Sequence, residues 1–340
     1  MRAPGIMPPQ PPSFGSRQYW DNRFTSNSNP FEWLEAPTSL DPFLVDALKE
    51  TTDQTPEILH IGCGTSLLSY HLRAHVQHPN QIHNLDYSEV AVQVGKNREL
   101  EIFNAEQKVS EEVSEEGTSS DESDNEKATH KDCANKNTSK GVKEMKSNGT
   151  FSTAYMRWSS ANLLSHLSLL NACKPSTYSV IVDKSTSDSI ACADDLYVPL
   201  PYPVSASRHT SSRVSWSNEP VHPIHVLAIH LAVVAKAKAR WIALSYSNER
   251  FPFLDRTLDE GTASSSMAEL ASELASAELD GFDGELDDDL DDIPQDMIDS
   301  GLPDPNTLWK LVGKVGTIRT LHFLSCAARL ELNVVSTLQL

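Results

Sequence analysis

A short apolar segment followed by a glycine-containing turn places the strongest constraint on the fold. Residues 57–61 (EILHI) are typical of a buried parallel strand, and they run directly into Gly62-Cys63-Gly64. Residues 65–74 then show leucines at helical spacing, and residues 82–86 (IHNLD) form a second apolar segment. A strand, a glycine turn, a helix and a second strand in this order predict a parallel sheet with right-handed crossovers.

The alternation of strands and helices continues along the chain. Residues 154–158, 178–183 and 241–246 predict three further strands, and residues 221–240 predict a long helix that runs into the last of them. Together these segments predict an α/β fold, a doubly wound and mostly parallel sheet with helices on both faces.

Two acidic segments interrupt this pattern and dominate the charge. The 340-residue chain has a net charge of −19, but residues 101–127 contribute −8 and residues 255–300 contribute −15. The remainder is near neutral, which argues against a nucleic-acid partner. We predict a disordered N-terminus over residues 1–15 and disordered insertions at about 105–150 and 255–305, because such segments cannot bury enough apolar surface to order themselves. A single domain over residues 16–340 then carries both insertions.

Composition also indicates the compartment. The five cysteines contain no C-x-x-C pair, which argues against a disulfide scaffold or a cysteine-built metal site and favours a reducing compartment. There is no secretory signal and no run of about 18 apolar residues, so we expect a cytoplasmic protein with no membrane partner. His222, His225 and His230 lack the spacing of a helical metal pair, so we expect capping or surface roles and predict no metal.

The glycine turn predicts a ligand site, because open α/β sheets bind ligands outside the carboxyl ends of their strands. Asp86 ends the next strand, 22 residues after Gly64, where a carboxylate accepts hydrogen bonds from two ribose hydroxyls. A dinucleotide loop needs a third glycine at the position of Leu67, whereas S-adenosylmethionine (SAM) has no phosphate to accommodate. The turn therefore favours SAM, and a plain strand–helix turn without a ligand is the alternative.

Four separated motifs resemble a known family. HIGCGTSLLSYHL at residues 60–72, followed by IHNLDYSEVAV at 82–92, is similar to class I SAM-dependent methyltransferases. The N-terminal motif, YWDNRF at 19–24 followed by FEW at 31–33, and the motif DKSTSD at 183–188 resemble, more narrowly, the branch of the elongation factor 1-alpha lysine methyltransferases. The resemblance covers residues 18–100 and 154–254. It implies a Rossmann-like seven-stranded methyltransferase sheet, with SAM as the cofactor.

The resemblance also implies cofactor-binding residues. The aromatic residues Trp20, Phe24 and Trp33 would cover the cofactor. The other positions are Gly62 beside the methionine part, Asp86 and Tyr87 at the ribose and adenine, Asn162 and Leu163 beside adenine, and Lys184 at the pocket edge. Three departures stand out: Asn162 replaces an acid, and Ser185 and Ser187 replace a glycine and a leucine. Residues 315–340 match the final antiparallel strand pair only loosely, so we expect the last strand to be shortened or replaced.

The implied reaction is methyl transfer to a lysine of a protein substrate such as a translation elongation factor. Asp183 and Tyr246 are the last residues of two predicted strands and are acceptor-side candidates, but no catalytic residue is assigned. Two alternatives stay open at this point. One is a small-molecule acceptor, and the other is a catalytically inactive methyltransferase fold whose acidic insertions bind other proteins.

Overall fold

A seven-stranded sheet forms the centre of the computed structural model. The model describes residues 12–115, 155–203, 215–254, 293–316 and 320–327. The strands of the sheet are β1 Ile58–Ile61, β2 Ile82–Asp86, β3 Arg157–Ser160, β4 Tyr178–Lys184, β7 Ala235–Ser245, β8 Trp309–Val315 and β9 Thr320–Cys326. A separate two-stranded sheet pairs β5 Pro199–Leu200 with β6 Ser215–Trp216.

The strand order places the ligand-binding edge. The order is β3-β2-β1-β4-β7-β9-β8, with parallel pairing from β3 to β7 and antiparallel pairing of β9 with both β7 and β8. The chain moves outward in one direction from β1 to β3 and then returns to β4 on the other side of β1. The switch point lies at the carboxyl ends of β1 and β4. This topology confirms the predicted doubly wound, Rossmann-like sheet of seven strands.

Helices cover both faces of the sheet. They are α1 Arg17–Ser26, α2 Asp41–Glu50, α3 Leu68–His71, α4 Glu89–Glu115, α5 His166–Ala172, α6 Thr186–Ala191, α7 Pro223–Val234, α8 Gln295–Asp299 and α9 Pro305–Leu308. Short 3-10 helices span Pro37–Leu40, Leu72–His75 and Pro79–Gln81. No helix in the described ranges is long and apolar enough to cross a membrane.

Each central strand is buried on both faces, as the apolar segments predict. Ile181 of β4 packs in the core on one side, whereas Val180 and Val182 pack on the other, because successive strand side chains point to opposite faces. The α7 helix fills the first of these cores, and every one of its residues is buried. Trp309 Nε1 donates to the carbonyl of Ala228 at 2.8 Å, which satisfies the indole inside this apolar layer.

Three elements predicted within the core have different bounds in the structure. The helix predicted over residues 221–240 ends at Val234, and β7 starts at Ala235. Residues 235–240 (AKAKAR) alternate small apolar with charged side chains, which is the two-residue period of a strand and not that of a helix. The strand predicted at 154–158 begins instead at Arg157. The helix predicted over 65–74 is a single α-helical turn, α3, that continues as the 3-10 helix Leu72–His75.

The edges of the predicted disordered segments also differ from the structure. Residues 12–15 are described, α4 continues to Glu115, and residues 293–305 contain α8 and the start of α9. Met297 and Leu302 in that last stretch are buried in the core. The rest of the three segments, residues 1–11, 116–150 and 255–292, lies outside the described residues. The loosely matched C-terminal part supplies a full seven-residue strand, β9, between β7 and β8.

Of the three histidines around α7, one has a predicted role and two do not. His222 caps the helix, because its Nδ1 accepts the amide of Ile224 at 3.2 Å. His225 and His230 are buried, so a surface role is wrong for both. A helix that is apolar all round and lies inside the core leaves no exposed side for them.

Candidate cofactor-binding site

One pocket opens at the carboxyl ends of β1, β2 and β4, where the strand order reverses. Its empty volume is about 940 Å³, which includes space open to solvent at the mouth. All nine residues that the resemblance implied lie in its wall: Trp20, Phe24, Trp33, Gly62, Asp86, Tyr87, Asn162, Leu163 and Lys184. Residues from positions 20 to 184 are thus brought together by the sheet topology.

The glycine turn is shaped by close packing. Gly62 and Gly64 have φ values of 57° and 50°, in the left-handed region that favours glycine. A Cβ at Gly62 would lie 2.1 Å from Thr186 Oγ1, so the turn can approach the start of α6 only without a side chain. The Thr186 hydroxyl donates to the carbonyl of Ile61 at 2.9 Å and ties the two segments together. At Gly64 the space above the turn is taken by the Phe24 ring, 3.3 Å from such a Cβ.

Asp86 is fixed beside the turn by two backbone amides. Its Oδ2 accepts from Gly64 N at 2.7 Å, and its Oδ1 accepts from Ser88 N at 2.8 Å. The residue is 7 % exposed, and this burial raises the pKa of the Asp86 carboxyl to about 6. Each carboxylate oxygen can accept a second hydrogen bond, so Asp86 can receive two hydroxyls from a ligand in the pocket.

An aromatic cluster from the N-terminal segment, residues 14–35, lies over the pocket. The rings of Trp20 and Phe24 stack at 5.7 Å, and Trp20 Nε1 donates to the Phe14 carbonyl at 2.7 Å. Phe14 lines the pocket, although it lies in the stretch that was predicted to be disordered. The α1 helix is anchored to the Asp86 loop, because the Ser88 hydroxyl donates to Asp21 Oδ1 at 2.5 Å. The N-terminal segment therefore forms a wall of the site.

Glu32 holds this segment against the glycine turn. Its carboxylate forms an ion pair with Lys184 and accepts from the Ser66 hydroxyl at 2.7 Å and from Leu67 N at 2.5 Å. Lys184 also donates to the Glu35 carbonyl at 2.9 Å, and its side chain is only 3 % exposed. A buried ammonium needs a paired charge, so these contacts form a clasp, hereafter the Glu32–Lys184 clasp. Glu32 was not predicted from the sequence. The signals that could have identified it are its place between the aromatic residues Phe31 and Trp33 and the need of Lys184, a predicted pocket residue, for a counter-charge.

A histidine of the helix α7 supports the floor of the pocket through hydrogen bonds. Leu163 lines the pocket, and its carbonyl lies 2.6 Å from Nδ1 of His230, whose Nε2 is 2.6 Å from the Tyr202 hydroxyl. Burial lowers the pKa of His230 to about 4, so the ring is neutral. Since a carbonyl only accepts, Nδ1 carries the proton and Nε2 accepts from Tyr202. Asn162 Oδ1 accepts from Leu164 N at 2.9 Å, so it has one lone pair left for a ligand.

The turn after β4 accommodates the atypical serines. Ser185 has a φ of 65°, the left-handed conformation in which glycine would be unstrained.

The two acceptor-side candidates lie in different surroundings. Asp183 is fully buried, and its Oδ1 accepts the amides of Thr186 and Ser187 at 2.9 and 3.2 Å. Burial raises the pKa of its carboxyl to about 7. Asp183 is not among the described residues that line the pocket wall. Tyr246 is half exposed, and its ring lies 6.4 Å from that of Trp33 at the rim.

Comparisons with known proteins give one curated relative and a set of distant structures. No protein-family model matches the chain. A methyltransferase of Neurospora crassa, srdJ, is 27 % identical over 191 residues, which are 56 % of this chain and 59 % of that protein. This chain therefore matches less than two thirds of the relative's length.

Several of the similar solved structures have methyltransferase names, and two of them illustrate the likeness. A magnesium protoporphyrin IX methyltransferase from Synechocystis with bound S-adenosylhomocysteine aligns over 91 % of this chain and 97 % of its own, at 10 % identity and a TM-score of 0.37. A SAM-dependent methyltransferase from Anabaena variabilis aligns over 94 % and 96 %, also at 10 % identity and 0.37. Because these scores are low, the fold assignment rests on the strand order and register.

Proposed function

We propose that this chain is a SAM-dependent methyltransferase. The observation that carries the proposal is the position of Asp86, a buried carboxylate held by the amide of Gly64 and facing the same pocket as the aromatic cluster. A ribose, an adenine and a sulfonium in one ligand match a carboxylate, aromatic faces and a glycine turn in one site. The curated relative, itself called a methyltransferase, supports the same activity.

The charges in the pocket fit SAM better than a dinucleotide. Lys184 is the one basic side chain among the described residues of the pocket wall, and Glu32 neutralises it. A pyrophosphate would therefore find no free cation there, and the glycine turn lacks the third glycine for close approach. SAM carries a net positive charge, so Asp86 and the aromatic faces of Trp20 and Trp33 are favourable neighbours.

The residues of this chain bind and orient. SAM supplies, when bound, a methyl group activated by its sulfonium. Asp86 would hold the ribose hydroxyls, and Asn162 with Leu163 would lie against the adenine. With SAM bound, the N-terminal aromatic cluster would cover it and limit the access of water. A dry, aligned site is the main contribution that an enzyme makes to such a displacement.

For the acceptor, we propose a lysine of a protein, with a translation elongation factor as the model substrate. The support is the four matched motifs, together with an aromatic rim made by Phe31, Trp33 and Tyr246. Aromatic faces suit the aliphatic stem and the cationic head of a lysine side chain. A small-molecule acceptor is the second candidate, since the pocket mouth does not distinguish the two by charge.

The experiment combines calorimetry with radiolabelling of a cell lysate. We expect the full-length protein to bind SAM, to bind NADH undetectably, and to label a protein band with tritiated SAM. A label found only in the small-molecule fraction would replace the lysine acceptor with the second candidate. Binding without any label indicates an inactive methyltransferase fold, and a folded protein that binds no SAM contradicts the proposal itself.

A further inference from the structure

Two histidines and an aspartate meet where the start of α2 lies against the end of α3 and the 3-10 helix that follows it. Nε2 of His71 and Nε2 of His75 lie 2.5 and 2.9 Å from the same oxygen, Oδ1 of Asp41. One potential ligand atom from each residue lies within 4.8 Å of the other two. In the described part of the chain this is the one such group of three, and none of its members lines the pocket.

The local sequence explains why these side chains converge. His71 ends α3 and His75 ends the following 3-10 helix, four residues later, so both project to the same side of this helical segment. Leu68 and Leu72 are buried on the core side. Asp41 is the first residue of α2, which packs in the same core, and this places its carboxylate opposite the histidine pair.

We propose that Asp41, His71 and His75 bind a divalent transition-metal ion of the zinc class. Two imidazole nitrogens and one carboxylate oxygen are a ligand set that suits zinc and cobalt, whereas calcium and magnesium prefer oxygen ligands alone. Three protein ligands leave a fourth tetrahedral position for water. The side chains are between 12 and 35 % exposed, so an ion can reach them from solvent while the helices hold them in place.

The distances among the three ligand atoms would suit zinc after small shifts of the side chains. Zinc bonds of about 2.0–2.2 Å separate tetrahedral ligand atoms by about 3.4 Å. The distances from Nε2 of His71 and of His75 to Oδ1 of Asp41, 2.5 and 2.9 Å, are shorter than about 3.4 Å. The limit of 4.8 Å within which all three ligand atoms lie is longer. Shifts of less than about 1 Å in flexible side chains would equalise them. The ion would replace the two hydrogen bonds to Asp41 with three metal bonds and tie α2 to the segment that follows the glycine turn.

The test uses the full-length protein without an affinity tag, stripped with a chelator and titrated with cobalt(II) and then zinc(II). We expect one equivalent of cobalt with the visible absorption of a tetrahedral site and without the ultraviolet band of thiolate ligands. Zinc should displace the cobalt and raise the melting temperature. A thiolate band would assign the metal to cysteines, and equal protection by calcium would assign it to acidic segments; either result overturns the proposal, as does the absence of binding.

Three substitutions locate the ion. In His71→Gln and His75→Gln the amide nitrogen lies near the position of the imidazole Nε2 and can donate to Asp41, but the imidazole ligand is lost, so each variant should weaken cobalt binding at least tenfold. His78→Gln, on an exposed histidine three residues beyond His75, is the matched control and should bind like the wild type. Far-ultraviolet circular dichroism without metal shows whether each variant is folded. Unchanged affinity in folded His71→Gln and His75→Gln would show that the three side chains form only a hydrogen-bonded group.

Discussion

Asp86 joins the two halves of the site, because one carboxylate receives the amide of the glycine turn and the amide of the loop that anchors α1. The sequence could identify it, since an acid at the end of the second strand is readable from spacing. Glu32 and Phe14 could not be found in the same way. Glu32 acquires its role from Lys184, 152 residues away, and only the folded chain brings the two together.

At this residue we predict that SAM affinity falls with pH. Burial holds the pKa of Asp86 near 6, above its ordinary value, so the carboxylate protonates as pH falls through 6. The protonated form loses acceptor capacity for the ribose hydroxyls, and binding should be about tenfold weaker at about pH 5 than at about pH 7.5. Calorimetry at both values measures this. The Asp86→Asn variant should bind at least tenfold more weakly at the higher pH and show no such pH dependence.

Ser185 shows how a departure from a motif can be tolerated. The sequence marked the missing glycine, and the structure shows the serine in the left-handed conformation that the glycine would adopt. Its hydroxyl is buried and has no hydrogen-bond partner among the described residues. We therefore predict that Ser185→Gly stabilises the protein by about 1 kcal/mol, measured by urea unfolding. Ser187→Gly, two residues later in the helix α6, is the control and should destabilise the protein by about 0.5 kcal/mol, because glycine is a poorer helix former than serine. Destabilisation by both would show that φ at Ser185 carries no strain.

At the scale of elements, the N-terminal segment is attached to the sheet through polar contacts at a few points. Arg98 donates to the carbonyls of Ser28 and Thr65, and the Glu32–Lys184 clasp joins the segment to β4. Helix and strand identity was predictable where the apolar period was clear, as in β1, β2 and β4. The α7–β7 boundary was not, because a continuous apolar helix runs without a glycine or proline into a strand of alanine and charged residues.

The clasp yields a prediction about this attachment. Glu32→Gln leaves the Lys184 ammonium buried without its counter-charge, which should destabilise the protein by about 2 kcal/mol, less than for a fully buried pair because Glu32 is 24 % exposed. SAM affinity should fall as well, since the aromatic wall is carried by the same segment. Urea unfolding and calorimetry measure the two effects. The double variant Glu32→Gln, Lys184→Met should recover part of the stability, and if it recovers none, the pair is not the source of the loss.

At the scale of the whole molecule, the acidic composition of a segment does not determine whether its residues pack in the core. The acidic segments gave clear compositional boundaries, yet residues 293–305 carry buried side chains inside one of them. Composition averages over a window, so it cannot show that Met297 packs in the core on one side of the sheet. Leu302 N donates to Met297 O at 3.0 Å, and Tyr202 N donates to Gly301 O at 3.0 Å. The segment is thereby connected, through Tyr202 and His230, to the pocket floor.

Two matched deletions test that connection. Removing residues 262–290 takes away only residues outside the described part, and we expect the melting temperature to stay within a few degrees and SAM affinity within a few-fold. Extending the deletion to residue 302 also removes Met297 and Leu302, which are 2 % and 1 % exposed. Losing two buried side chains should cost about 3 kcal/mol or more, and the missing support under Tyr202 should weaken SAM binding through the Leu163 floor. Thermal unfolding and calorimetry on both proteins separate the contributions. If the two deletions behave alike, the packing of residues 293–302 contributes nothing to the site, and the compositional boundary at 305 is the functional one.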